Sequence, residues 1–499
     1  MKSAALCLLA ISAPACNWVF GIDPTLLVDA GSGPGEAPLP AGRLTWMIAA
    51  TDTLGNPIAA AEFRAITPPP SAKIGAITGA LTDVALDATG SFETPRAFPG
   101  TPWRLVYQLP NDIPREVHWR PGVGRVPHMV VPLYGRADRA PIPGPNTVMS
   151  LTPLGSPPTT YNLPRVFTIG VWTESLPVPT TTGPTFNYNL NQSTQLSGPP
   201  GAPERVKGDK VVLSEFQSIG GNCRAGNGSA AFELDLIDGV SSTFRAETWR
   251  NTGGAVIVNG DSTGDRTRVA LSAGAAIGSV RVVIQVGASP SSAMPMFTQR
   301  TSFLGLRGPL VIAMLECDVT FTSALPIFSM PAALSVFPRL AQLQLTADRT
   351  TAGAVLTSGV AAVSLMSTDT ANLDLTLALP VAPFRLGSLD LSSTDGSLLP
   401  GGTDPLVFTF GNEAGMMVPE YYEVVLHRIE GGSAIPERAY TITSPTLTIE
   451  RSVLAGAGTQ YVFQVRSFLG APGAADADFT RYSPMQSSAV TWTHSFITP

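Results

Sequence analysis

One pentapeptide of this chain has the residue types of a serine nucleophile. Gly260-Asp261-Ser262-Thr263-Gly264 fits the Gly-x-Ser-x-Gly pattern, in which a sharp turn between a strand and a helix exposes the serine hydroxyl. The apolar stretch 255–258 predicts the strand before it, but 267–271 predicts a second strand where the helix should begin. The pattern therefore predicts the tip of a hairpin, and we expect no catalytic residue.

The four histidines do not have the spacing of a metal site. No pair among His118, His128, His427 and His494 forms the His-x-x-x-His or His-Glu-x-x-His motif that binds zinc. A phosphate-binding Gly-x-x-x-x-Gly-Lys sequence does not occur either. We therefore expect no metal ion and no cofactor, and we place the histidines at separate strand and loop positions.

The first sixteen residues have the features of an export signal. Lys2 supplies a positive charge, an apolar run covers 4–11, and Ala13-Pro14-Ala15 is a small-residue cleavage site directly before Cys16. This order resembles a bacterial lipoprotein signal (1–15), which implies that Cys16 is lipidated and anchors the chain to a membrane. The Gly/Pro-rich segment 16–42 then predicts a flexible tether.

The same residues predict the location of the protein in the cell. The inner-membrane retention signal of lipoproteins has Asp after the cysteine, and Asn17 at that position favours the outer membrane of the cell envelope. Ala13 and Ala15 also fit an ordinary secretory cleavage site, so a secreted protein is the alternative.

Two further cysteines lie in the body of the chain. Cys223 and Cys317 remain once Cys7 and Cys16 are assigned to the N-terminal segment, and two cysteines in an exported chain predict one disulfide bond. In the chain-entropy model a loop of this length is stabilised by up to about 4–5 kcal/mol when it is closed. The alternative is a pair of buried free thiols.

Composition excludes some partners. The formal net charge is −6 over 499 residues, which argues against nucleic acid because a basic face is needed to bind phosphates. Only 14% of the residues are charged, well below the roughly 25% of ordinary soluble domains. The 48 glycines and 46 prolines favour many turns and few helices.

The elements that must position these residues are strands. Hydrophobic residues alternate with period two almost throughout, which predicts an all-β chain of tandem antiparallel β-sandwiches after the signal and tether. The best helix candidate is 332–345, and Pro338 interrupts it.

The first predicted domain is a sandwich over 43–136. It has a strand, the turn Asp52-Thr53-Leu54-Gly55-Asn56-Pro57-Ile58, then Thr82-Asp83, Gly90-Ser91-Phe92 and the strand 103–107. This order resembles the carboxypeptidase regulatory-like, or B-repeat-like, sandwiches, which implies an adhesion or accessory role. A β-rich middle region follows over 146–379, as one large domain or two smaller ones.

The last predicted domain covers 380–499. Seven short strands in this stretch resemble a fibronectin type III sandwich. The resemblance implies a corner before the sixth strand, where the hydroxyl of Tyr461 bonds to backbone near Leu454. Because a Pro-rich segment precedes this domain, we expect few contacts with the middle region and independent folding.

The residues favour a non-catalytic function. We expect an envelope-anchored lipoprotein that binds a partner or acts as a spacer, with the membrane contacted through the N-terminal lipid and an unknown protein or glycan as partner. The alternative is an exported enzyme, for instance a glycan-active one, with its site in the middle region. A cleft of convergent acidic residues or histidines there would favour the enzyme.

Overall fold

The computed structural model describes part of the chain, and its first 40 residues, including the signal and Cys16, lie outside the described residues. The described residues are 41–49, 72–86, 91–93, 102–108, 113–119, 128–134, 140–141, 148–154, 162–169, 173–175, 186–189, 194–195, 201–202, 204–207, 209–220, 223–233, 241–245, 251–259, 262–288, 315–318, 323–328, 339–366, 371–374, 384–411, 418–479, 483 and 485–499.

The fold is the all-β sandwich that the period-two pattern predicts. In the N-terminal region the strands are β1 (Ala41–Ala49), β2 (Ala72–Ala76), β3 (Thr82–Val84), β4 (Ser91–Glu93), β5 (Trp103–Gln108), β6 (Pro114–Trp119), β7 (His128–Tyr134) and β8 (Ala140–Pro141).

In the middle region they are β9 (Val148–Leu154), β10 (Asn162–Ile169), β11 (Thr173–Ser175), β12 (Phe186–Asn189), β13 (Thr194–Gln195), β14 (Gly201–Ala202), β15 (Lys210–Gly220), β16 (Cys223–Glu233), β17 (Ser241–Arg245), β18 (Asn251–Asn259), β19 (Arg281–Ala288), β20 (Leu315–Asp318), β21 (Ser323–Phe328), β22 (Arg339–Thr351), β23 (Ala354–Met366) and β24 (Ala371–Asp374).

In the C-terminal region they are β25 (Phe384–Leu386), β26 (Leu389–Asp390), β27 (Ser397–Leu398), β28 (Leu406–Phe410), β29 (Tyr421–Glu430), β30 (Ser433–Ile442), β31 (Thr446–Ile449), β32 (Gln460–Leu469), β33 (Met485–Trp492) and β34 (Phe496–Ile497).

One large sheet joins all three regions. Its neighbours follow the order β3-β2-β5-β6-β30-β29-β32-β33-β23-β22-β19-β20-β16-β15-β10-β11-β13, and β34 and β27 add to the end of β32. Within this line the pairing is antiparallel except between β6 and β30, which run parallel. Smaller sheets have the orders β4-β1-β7, β12-β9-β17, β14-β8, β21-β18-β24 and β26-β25-β28-β31.

The C-terminal region forms a two-sheet sandwich. The short sheet β26-β25-β28-β31 packs against the long strands β30, β29 and β32, and aromatic side chains fill much of the space between them. Phe384 of the short sheet stacks on Phe410, with ring centroids 5.4 Å apart, and lies 5.2 Å from Phe463 of the long one. Alternate residues of β28 point inward, as period two requires. Membership of the fibronectin type III family stays a prediction.

A second core is shared by all three regions. It combines side chains from N-terminal strands, from β23 and from C-terminal strands, among them Trp103, Leu356 and Trp492. In addition, β33 pairs with β23 over six residues and β30 pairs with β6 over four. The expectation of few contacts between the C-terminal domain and the rest is therefore wrong, because its sheet is continued by strands on both sides. The predicted domain boundaries remain predictions.

The described part of the chain contains one α-helix, and it lies where a strand was predicted. It spans Ser262–Ala273, with Asp265 in its first turn paired to Arg268 at 3.1 Å. Gly274 follows with φ +60°, the left-handed conformation that commonly ends a helix. The earlier helix candidate is wrong where it is described, since 339–345 belongs to β22.

Candidate functional site

The serine motif lies at a junction between a strand and a helix. β18 ends at Asn259, and the helix begins at Ser262, inside the Gly-x-Ser-x-Gly sequence. The prediction of a hairpin tip is therefore wrong. The run 267–271 contains a Thr and a Val, which favour strands, but Asp265 and Gly274 are helix start and stop residues that outweigh them. This order of elements is the one that a nucleophile elbow requires.

The histidines are placed apart. His118 lies in β6 and His427 in β29, both buried, while His494 follows β33 and is partly exposed. His128 begins β7. Among the described residues no group of three or more His, Cys, Asp or Glu side chains could hold a metal ion. No helix in the same part of the chain is long and apolar enough to cross a membrane.

The two body cysteines are opposite one another in the sheet. β16 and β20 pair antiparallel, and in that register Cys223 faces Cys317. Directly opposed residues of antiparallel strands have Cα atoms about 4.5–5.5 Å apart, within the range that a disulfide spans. The backbone therefore permits the disulfide that the sequence predicts, which stays a prediction.

Counting thiols tests that disulfide. Under denaturing, non-reducing conditions we expect the mature chain with Cys16 replaced by Ser to show no free thiol, and the further change Cys223→Ser to expose one thiol at Cys317. Two reactive thiols in the first protein would contradict the bond.

A buried cluster of charged side chains lies where the N-terminal strands meet the C-terminal sandwich. Glu116 of β6 is only 2% exposed and is surrounded by cationic side chains. One of its oxygens accepts a hydrogen bond from Arg438, and the other lies 3.2 Å from Nε2 of His118 and 3.7 Å from Nη1 of Arg104. Arg104 also reaches Glu450 at 2.5 Å. Strands β5, β6 and β30 thus bring one ionic network together.

The electrostatics favour an ionised Glu116. Burial alone would raise the pKa of this carboxyl, but the hydrogen bonds and charges of His118 and Arg438 outweigh burial and hold the pKa below its ordinary value. Tyr440, which lies edge-on to His118, is fully buried, and burial together with the Glu116 charge raises the pKa of its hydroxyl well above 10.

A second buried cluster lies on the opposite face of β6, where it meets β29 and β32. Glu423 of β29 is 1% exposed; Nη1 of Arg466 lies 3.1 Å from one of its oxygens and Nη1 of Arg115 4.0 Å from the other. Arg115 belongs to β6, so this cluster also crosses between the two regions. Both clusters connect strands, and the central carboxylate of each is buried, which favours a role in holding strands together over the binding of a substrate.

A third polar cluster contains Asp, His and Ser. Oδ1 of Asp395 accepts hydrogen bonds from the Ser495 amide at 2.7 Å and from its hydroxyl at 3.0 Å, and it lies 3.2 Å from Nδ1 of His494. In a hydrolytic triad the histidine stands between the acid and the serine, whereas here the acid contacts both. Burial would raise the pKa of Asp395, but these partners lower it. The cluster fixes the loop before β27.

The predicted corner residue Tyr461 is fully buried. The amide of Ala455 donates a hydrogen bond to its hydroxyl oxygen at 2.7 Å, one residue beyond Leu454, which packs against the same core. The hydroxyl is thus the partner of a backbone amide in a turn between two strands.

Removing that hydroxyl tests the contact. We expect Tyr461→Phe to lower the free energy of unfolding by about 1–3 kcal/mol, because the Ala455 amide then loses its acceptor. Urea unfolding of both proteins measures it. The neighbouring change Tyr422→Phe is a control for the loss of a core hydroxyl, and an equal loss in both would remove the special role of the corner.

The sequence analysis missed the residues that the structure brings together most closely. Arg115-Glu116-Val117-His118 places charged or titratable side chains on both faces of one strand. Only 14% of the residues in this chain are charged, so charged side chains on both faces of one strand could have indicated buried ion pairs. Their partners in β30 and β29 are more than 300 residues away, and no local pattern identifies them.

Comparison with known proteins does not assign the chain to a family. A scan of the sequence against protein-family models finds no match, and a search of the curated proteins finds none either.

Proposed function

We propose that the protein is a non-catalytic lipoprotein of the cell envelope, whose folded part is a rigid scaffold that binds a partner or separates two others. The observation that carries the proposal is the burial of its clustered charges. Glu116 and Glu423 are 2% and 1% exposed, and the arginines that contact them belong to other strands of the same sheet. Carboxylates in this state hold strands together and have no access to a substrate.

The shared sheet and core support rigidity. A spacer made of separate domains bends at its linkers, whereas here strands of one region are hydrogen-bonded to those of the next. The partner is a protein or a glycan, and the acidic net charge of −6 argues against nucleic acid. A pull-down from envelope extracts with residues 41–499 as bait tests for such a partner.

Membrane attachment through Cys16 is the first test. We expect the wild-type protein to enter the detergent phase in detergent phase separation and Cys16→Ser to stay in the aqueous phase. Cys7→Ser is the matched control, because Cys7 lies within the predicted signal and should not change the partition. If all three proteins are aqueous, the protein is secreted and has no lipid anchor.

The strand–helix junction gives the enzyme alternative its one specific support. If Ser262 were a nucleophile, a fluorophosphonate probe would label the protein and Ser262→Ala would abolish the labelling. Under the scaffold proposal we expect no labelling of either protein. Labelling that depends on Ser262 would replace the scaffold with a hydrolase, and labelling that persists in the variant would locate a different serine.

A further inference from the structure

The junction between β6 and β30 joins the two ends of the chain's folded part. It is a short parallel pair in which Arg115 to His118 lie beside Ala439 to Ile442. Parallel pairs are slightly less stable per residue than antiparallel ones. The pairs directly on either side of this junction, β5–β6 and β29–β30, are antiparallel.

Ion pairs reinforce this junction on both faces of the sheet. On one face Arg438 of β30 bonds to Glu116 of β6, and Arg104 of β5 bonds to Glu450 after β31. On the other face Arg115 approaches Glu423 at 4.0 Å. Each pair has one residue from the N-terminal strands and one from the C-terminal sandwich, so the ionic contacts cross the boundary between the two.

We propose that the β6–β30 junction is an acid-sensitive clasp, which holds the N-terminal strands on the C-terminal sandwich at neutral pH and releases them when Glu116 is protonated. Protonation removes the anion between Arg104 and Arg438. Arg104 keeps its contact with Glu450, whereas the partly buried Arg438 loses the carboxylate that it contacts, which destabilises the junction. The weak parallel pair then opens, while the antiparallel strands β29, β30 and β32 remain paired. The proposal goes beyond the scaffold function, because it gives that scaffold a conformational response.

The direction of the response follows from the charges that face Glu116. In the described residues these are Arg104 from β5, His118 from β6, Arg438 and the Tyr440 hydroxyl from β30, and Glu450 from the turn after β31. The pKa of Glu116 is lowered from 4.5, so its contribution is complete above that pH and is lost as the pH falls further.

Hydrogen exchange at several pH values tests the clasp in the mature protein. Between pH 7 and 3.5, after correction for intrinsic exchange, we expect peptides covering 113–119 and 439–442 to lose protection below pH 4.5, by up to about tenfold per pH unit for each carboxyl that titrates. Peptides from β22 and β23 should stay protected. Loss of protection in both places together, or protection of the junction down to pH 3.5, would overturn the proposal.

Variants separate the clasp from general unfolding. Glu116→Gln should lower junction protection at pH 7 by about 100-fold while leaving that of β22 and β23 unchanged. The double change Glu116→Gln with Arg438→Met removes both charges and should restore junction protection and reduce its acid response. Asp83→Asn, which removes an exposed pair with Lys73, is the control and should behave as wild type. If the double variant keeps the full acid response, Glu116 is not the group that opens the junction.

Discussion

Glu423→Gln is expected to lower the free energy of unfolding by about 3–5 kcal/mol. The carboxylate lies 3.1 Å from the Arg466 guanidinium, and neither side chain is more than 1% exposed. Burial lowers the pKa of Arg466, and the charge of Glu423 acts against that shift. A neutral amide removes this compensation and leaves a cation in the core. Urea unfolding of the mature protein measures the effect.

Two companion variants make that prediction specific. Asp83→Asn removes an exposed ion pair, in which Lys73 and Asp83 side chains are 50% and 86% exposed, and should change stability by less than about 1 kcal/mol. Adding Arg466→Met to Glu423→Gln removes the buried cation closest to the substituted side chain and should recover much of the loss. A loss no larger than that of Asp83→Asn would show that the buried pair contributes little.

A second large effect is expected from His427 when the pH is lowered. Its ring is 3% exposed and packs 4.7 Å from the Trp492 ring, and burial, with the nearby charge of Arg466, lowers its pKa from 6.5 to about 3. Between pH 6.5 and about pH 3, His427 binds a proton in the unfolded chain but not in the folded one. Stability is therefore full above pH 6.5 and falls as the pH decreases, by up to about 1.4 kcal/mol per pH unit.

The variant His427→Leu removes this titration. Between pH 6.5 and 5 we expect the free energy of unfolding to fall by about 2 kcal/mol less in the variant than in wild type. Tyr461→Phe is the control, since it destabilises the protein without a group that titrates in this range. Equal pH dependence in wild type and His427→Leu would mean that His427 binds a proton as readily in the folded protein as in the unfolded chain.

The sequence predicts those features of the fold that depend on residues close together in the chain. The alternation Leu406-Val407-Phe408-Thr409-Phe410 predicts a half-buried strand, and β28 has that burial pattern. The bond to Tyr461 was expected from the resemblance to a fibronectin type III corner, and its observed partner is six residues away. The helix Ser262–Ala273 was missed because its β-branched residues suggested a strand, although its start and stop residues were visible.

The ionic clusters could not be predicted in the same way. A charged residue within a strand is ordinarily on a solvated face, and nothing near Glu116 in the sequence indicates Arg438, 322 residues further on. The shared core could not be predicted for the same reason. Apolar residues in β5, β23 and β33 show that each strand has a buried face, but they do not show which strands pack together there.

The pairing of β6 with β30 has a consequence for the order of folding. A chain synthesised from its N-terminus contains β5 and β6 long before β30, which begins at Ser433, so the edge of β6 stays unpaired until β30 has been made. Contacts so distant in sequence form slowly, and an uncovered strand edge invites pairing with other chains. A chaperone that covers this edge should therefore raise the yield of native protein, and chains truncated before β30 should aggregate.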